Sequence, residues 1–166
     1  MANITLGGNP VETIGNLPKT GNQAPNFLLS SLDLSTKKLS DFLGEKVILN
    51  IFPSVGTGIC ASAVRRFNKE ASKLENTKIL CISKDLPFAQ GGFCAAEGIE
   101  NVEMLSNFMD NTFGKDYGVL ITNGKFQGLL ARAVLVLNEK GEIIYSELVP
   151  EIGQEPNYEL ALKALA

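Results

Sequence analysis

The most continuous apolar stretch of the chain, Lys46–Phe52 (KVILNIF), shows no alternation of apolar and polar positions, the pattern of a strand covered on both faces. Pro53 ends it, because proline has no N–H to give to a sheet ladder. From about Gly58 to Glu75 the period changes. Val64, Phe67, Ala71 and Leu74 recur at helical spacing, and Arg65, Arg66, Lys69 and Lys73 take the other positions, which predicts an amphipathic helix. Lys78–Ser83 (KILCIS) reads as a second buried strand. The segment DLPFAQGGFCAAEG reads as a shorter helix, with Pro87 near its first turn and Gly98 just past its end. Val102–Leu105 is another strand, after which a polar, irregular stretch runs to about Gly128. Ala133–Leu137 and Ile143–Val149 flank NEKGE, whose Lys-Gly pair marks a hairpin turn, and Pro156–Leu165 closes the pattern as an amphipathic helix.

Ahead of this core, residues 1–25 are polar and punctuated by Gly, Asn and Pro, with short strands expected at Asn3–Leu6 and Val11–Ile14 and a turn at the intervening NP. Phe27–Ser30 predicts a further short strand and Leu39–Leu43 a single helical turn. Strand, helix, strand, helix, strand, hairpin and final helix is an α/β order with a mixed sheet. With right-handed crossovers it points to a thioredoxin-like fold in one domain over residues 1–166: a mixed central sheet flanked by helices, with an N-terminal β-hairpin.

Composition narrows the function classes. With a net charge of −3 and a pI of about 5.1, the chain has no basic footprint for nucleic acid and no polybasic run for a lipid surface. No apolar run approaches the length of a membrane span, and the first residues do not read as a signal peptide, so a cytoplasmic protein with reduced cysteines is expected. There is no histidine. That removes Ser-His-Asp and Cys-His nucleophile pairs and His-ligated metals, and leaves Cys, Arg, Lys, Tyr and carboxylates to carry any chemistry.

Of the three cysteines none forms a CxxC pair, which argues against a thioredoxin-type dithiol and against a zinc knuckle. Cys81, mid-strand among Ile79, Leu80 and Ile82, reads as a small buried hydrophobe. Cys60 would fall in the first turn of the long helix, where unpaired N–H groups and the positive end of the dipole favour a thiolate, and where small neighbours leave room for a small substrate. Position alone does not separate a reactive Cys60 from a structural one. Cys94, in the shorter helix, favours a core reading by itself and gains weight as the redox partner available to Cys60. Arg65 and Arg66 read as a solvated helix face, and Phe88, Phe93 and Phe126 as either core or the lining of an alkyl pocket.

The stretch PSVGTGIC (Pro53–Cys60) matches the peroxiredoxin pattern of proline, three residues, threonine, two residues, cysteine. GNPV, LNIFPS, VRRFN, LCISKDLPFAQGGFC and LLARAVLVLNEKGE extend the resemblance over nearly the whole chain to the thiol peroxidase branch, the atypical two-cysteine peroxiredoxins of bacteria. The resemblance implies a hydroperoxide reductase that needs no cofactor and no metal. Cys60 would be the peroxidatic cysteine and Cys94 the resolving one. Thr57 would hydrogen-bond the thiolate and the peroxide, Pro53 would shield the site from water, and Arg132 would supply a cation beside the sulfur. It also implies thioredoxin as electron donor and a homodimer. A disulfide needs Cα atoms about 4.4–6.8 Å apart, so local unwinding near Cys60 or Cys94 is expected during turnover. One departure stands out: Gly56 occupies the place where this branch usually carries Asp. Two rival readings remain open, a redox sensor that uses the same disulfide and a structural domain with buried thiols.

Overall fold

The computed structural model describes residues 1–110 and 112–166. Strand β1 (Asn3–Leu6) and strand β2 (Asn9–Glu12) form an antiparallel hairpin. Its turn is Gly7–Gly8 rather than the following NP, and β2 starts two residues earlier than expected. Both glycines have positive φ, 58° and 81°, the geometry of a two-residue hairpin turn that other residues resist. Pro10 is tolerated in β2 because the hairpin is only two strands wide and leaves an edge free.

After β3 (Leu28–Ser30), β4 (Thr36–Lys38) and a 3-10 turn at Leu39–Phe42 come β5 (Lys46–Ile51), α1 (Gly58–Ala71) and β6 (Thr77–Ser83). They are followed by α2 (Pro87–Glu97), β7 (Glu103–Ser106), a short helix α3 (Phe113–Asp116), β8 (Ala133–Leu137), β9 (Ile143–Leu148) and α4 (Tyr158–Lys163). The seven-stranded sheet runs β4-β3-β7-β6-β5-β8-β9. Its β5–β6 and β6–β7 pairs are parallel and the others antiparallel, so the sheet is mixed, as expected of a thioredoxin-like fold. Three details depart from the sequence reading. β4 was not anticipated, α1 ends at Ala71 instead of Glu75, and the stretch read as irregular contains α3; that stretch also includes Asn111, which lies outside the described residues.

The two faces of the sheet bury separate cores, set by strand alternation. Val47, Leu49 and Ile51 of β5 face the hairpin, Phe27, Phe113 and Tyr117. Ile48 and Phe52 face Ala63, Val64 and Phe67 of α1, Cys94 of α2 and Tyr158 of α4. Each such aliphatic or aromatic side chain contributes about 1.5–3 kcal/mol on burial. The arm before β3 lies flush on the loop after α3. Gly118 has φ +65°, and a Cβ there would lie 2.2 Å from the Asn16 carbonyl oxygen, so only glycine fits.

The topology also sets where chemistry can sit. β5, β6 and β7 end together at Ile51, Ser83 and Ser106, the carboxyl end of the parallel strands. Antiparallel β8 starts at that same end, with Ala133 opposite Ile51. Arg132, one residue earlier, is therefore delivered to the segment that leaves β5.

Candidate active site

The chain leaves β5 through Phe52 and the buried Pro53 and enters α1 at Gly58. Thr57 is the N-cap. Its backbone is extended and its hydroxyl accepts from the Cys60 N–H at 3.3 Å, leaving its own proton for the Ser54 carbonyl at 3.4 Å. The threonine thus meets the backbone of Cys60 and fixes the first helical turn. Cys60 lies in that turn and is fully buried, at 0% exposure.

Arg132 is 1% exposed, an unusual location for a cation that no carboxylate contacts among the described residues. Its Nη2 donates to Cys60 Sγ at 3.2 Å and its Nε to the Ile152 carbonyl at 2.8 Å. Its Nη1 is buried and has no hydrogen-bond partner among the described residues. A charged guanidinium needs a negative or strongly polar partner when buried. The Cys60 sulfur answers that need on one nitrogen.

Ile152 is itself anchored. Its N–H donates to Thr5 O, and the Thr5 N–H donates to Pro150 O, so the 150–152 segment runs along β1. The Glu151 carboxylate accepts from the Thr5 hydroxyl and from the N–H groups of Gly7, Gly8 and Gly153. Those bonds to its charged form hold the carboxyl down to about 2.

On the other side of the loop Asp85, between β6 and α2, accepts from the Ser54 hydroxyl at 2.7 Å, the Val55 N–H at 2.9 Å and the Ser83 hydroxyl at 2.6 Å. Ser54 Oγ in turn accepts from the Gly56 N–H at 3.0 Å. A Cβ at Gly56 would lie 3.3 Å from that same oxygen, so an Asp side chain there would crowd Ser54 and compete with Asp85 for its hydroxyl. Gly56 is outside the left-handed region, so its φ does not demand glycine.

All three cysteines are free thiols. Cys94 is buried in the same apolar cluster as Cys60, and burial pushes its thiol up. Cys60 and Cys94 belong to different helices, α1 and α2, joined at the surface by an Arg65–Glu97 ion pair with both contacts at 2.9 Å. Cys81 is packed in β6 beside Asn50, whose Nδ2 lies 3.6 Å from its sulfur. Arg66 pairs with Glu70 and lies over the Tyr158 ring, so neither helix arginine is hydrogen-bonded to Cys60. The three phenylalanines do not line one pocket. Phe88 is 72% exposed, Phe93 packs on the helix-side core and Phe126 on the opposite core.

Ser54, Asp85, Ile152 and Glu151 were not singled out from the sequence. Asp85 follows a buried strand in SKD, a faint signal, while the Ile152 contact is a main-chain carbonyl that no residue type marks.

The family model described as Redoxin matches residues 19–162. The chain is 54% identical over 165 residues to the thiol peroxidase of Mycobacterium tuberculosis (strain H37Rv), covering 99% of each, and 51% identical, with the same coverage, to that of Corynebacterium glutamicum. Among solved structures, a peroxiredoxin-like protein from Aquifex aeolicus superimposes with a TM-score of 0.93 at 36% identity, over 99% of this chain and 96% of that one. With the buried cysteine and arginine at the carboxyl end of the parallel strands, these likenesses make the chain a member of the Redoxin family and, within it, a peroxidase of the thiol peroxidase branch of the peroxiredoxins.

Proposed function

We propose that the protein reduces hydrogen peroxide and alkyl hydroperoxides through Cys60, that Cys94 resolves the product as an intramolecular disulfide, and that thioredoxin returns both thiols. The observation that carries this reading is the buried Arg132, one nitrogen on Cys60 Sγ and the next without a partner among the described residues. Unpaired buried donors are rare in folded proteins, and a peroxide oxygen would complete this set.

In the first step the Cys60 sulfur gives an electron pair to the nearer peroxide oxygen and the O–O bond breaks. The far oxygen takes a proton and leaves as water or alcohol, and the sulfur becomes a sulfenic acid. Arg132 serves both ends of this step, because its fork can hold the sulfur on Nη2 and the developing alkoxide on Nη1. The Ile152 carbonyl on Nε keeps the fork from rotating. Thr57 holds the turn that aims the sulfur, and buried Pro53 limits water on the strand side. In the second step the Cys94 thiol attacks the sulfenic sulfur, the S–S bond forms, the S–O bond breaks and water leaves. A dithiol donor then reduces the disulfide by two exchanges, its own sulfurs ending oxidised. Both cysteines are buried in separate helices, so the second step requires local unwinding.

The test is a coupled assay with thioredoxin, thioredoxin reductase and NADPH, comparing hydrogen peroxide with a bulky alkyl hydroperoxide. NADPH consumption is expected with the unsubstituted protein and none with Cys60→Ser. Cys94→Ser is expected to form one sulfenic acid per chain and then stop. Unchanged turnover in Cys60→Ser overturns the reading. By the same reading the protein is a cytoplasmic homodimer with residues 1–166 as one domain; a monomer mass in sedimentation at micromolar concentration contradicts the dimer.

A further inference from the structure

We propose that Asp85 is a positioning residue that latches the catalytic turn shut and thereby sets how the Cys60 sulfenic acid is partitioned between the Cys94 disulfide and over-oxidation. The inference rests on the functional reading above and adds a residue and a control point to it.

Asp85 stands at the junction of the two segments that must separate. Its carboxylate takes the Ser54 hydroxyl on one oxygen, and the Val55 N–H and Ser83 hydroxyl on the other. Ser54 and Val55 form the loop into α1. Ser54 is also the residue whose carbonyl receives the Thr57 N–H and hydroxyl, and Thr57 holds the Cys60 N–H. A continuous path of hydrogen bonds therefore runs from the Cys60 backbone through Thr57 and Ser54 to Asp85.

The other half of the latch lies at the base of the Cys94 helix. Ser83, which donates to Asp85, accepts from Nε2 of Gln90 in α2 at 3.1 Å. Gln90 is fully buried and also donates to the Leu105 carbonyl at 3.0 Å. The Asp85 carbonyl accepts from the Ser106 hydroxyl, which ties the same residue to the end of β7. One carboxylate thus joins the turn that carries Cys60 to the framework under the helix that carries Cys94. Hydrogen bonds to a charged group are the stronger kind and localise the restraint.

With the latch closed, Cys60 stays against Arg132, 0% exposed, on a helix separate from that of Cys94. Disulfide formation requires Ser54 and Val55 to leave Asp85. While they stay, a second peroxide competes for the sulfenic acid: its O–O bond breaks, one oxygen adds to sulfur to give the sulfinic acid, and water or alcohol departs. A weaker latch therefore favours resolution over over-oxidation.

Asp85→Asn keeps the side-chain shape and forfeits one acceptor. In a single turnover followed by rapid quench and mass spectrometry, it is expected to speed disulfide formation about tenfold, the equivalent of one weakened charged bond. The peroxide concentration that gives half-maximal sulfinic acid should rise by a similar factor. Ser54→Ala, which removes one bond and leaves the carboxylate, should move both quantities the same way by less, and the double variant should fall short of the product of the two. Asn138→Ala, in the β8–β9 turn at the far end of the sheet, removes the acceptor of the Lys140 and Glu142 N–H groups and lowers stability without touching the latch. It should leave the partition unchanged. A disulfide step that is unaltered or slower in Asp85→Asn, or a partition that follows stability in Asn138→Ala as well, overturns the latch. A lack of any sulfenic acid on Cys60 in the unsubstituted protein overturns the functional reading beneath it instead.

Discussion

Cys60 and Cys81 are both fully buried and belong to the same apolar cluster, yet their surroundings differ in kind. Cys81 has an amide at 3.6 Å and no cation beside it among the described residues, and burial pushes its thiol up to about 12. Cys60 has a guanidinium at 3.2 Å and the capped first turn of a helix. Burial alone disfavours the charged form of a thiol, as at Cys81, whereas the equally buried Cys60 sulfur faces a guanidinium. The difference between the two cysteines is therefore made by Arg132 and by the register that delivers it.

The comparison breaks most completely at the sulfur itself. Cys60→Ser is expected to lose all peroxide turnover, whereas Cys81→Ala should keep kcat/KM within about twofold and lower stability by about 1 kcal/mol, read from peroxide consumption and urea unfolding. The next largest effect falls on the cation. Arg132→Lys keeps a charge but loses the fork, so kcat/KM for peroxide should fall by about 100-fold, with the loss in the sulfenic-acid step under single turnover. A fall of less than threefold would show that the charge, and not its geometry, distinguishes Cys60.

Alkylation sharpens the contrast further. Iodoacetamide at pH 8 should label Cys60 ahead of Cys94 and leave Cys81 unlabelled until the protein unfolds, by peptide mass mapping; early labelling of Cys81 would contradict its confinement. The smallest effect concerns Glu151, whose carboxyl is held down to about 2 against an ordinary value of 4.5. A lowered carboxyl contributes stability that is present above 4.5 and lost as pH falls through about 2. Glu151→Gln should therefore lower the melting temperature slightly at pH 7 and leave it unchanged near pH 2. The residue is only half-buried, so the gap stays small.

Much of the fold was legible because β5, β6 and β8 are buried on both faces and read as apolar runs, and because Pro87 and Gly98 bound α2 by simple backbone chemistry. β4 was not legible. Thr36, Lys37 and Lys38 have no strand pattern, and they are held extended by pairing with Leu28–Ser30 at the sheet edge. The overlong reading of α1 followed its apolar spacing through Leu74. The helix stops earlier, where the Ser72 hydroxyl turns back to the Lys69 carbonyl and Asn76 takes a positive φ. At the site, Cys60, Thr57 and Arg132 were legible as a motif plus one distant basic residue. Asp85, Glu151 and Ile152 were not, because their roles depend on partners far away in sequence, and one of them acts only through its main chain.

The hairpin turn at Gly7–Gly8 matters for engineering. It is exposed, both of its N–H groups rest on Glu151, and the neighbouring Ile152 carbonyl holds the arginine that touches Cys60. The turn is thus linked, through Glu151 and the adjoining Ile152 carbonyl, to the arginine on Cys60, which makes it a poor place for an insertion meant to leave that arginine undisturbed.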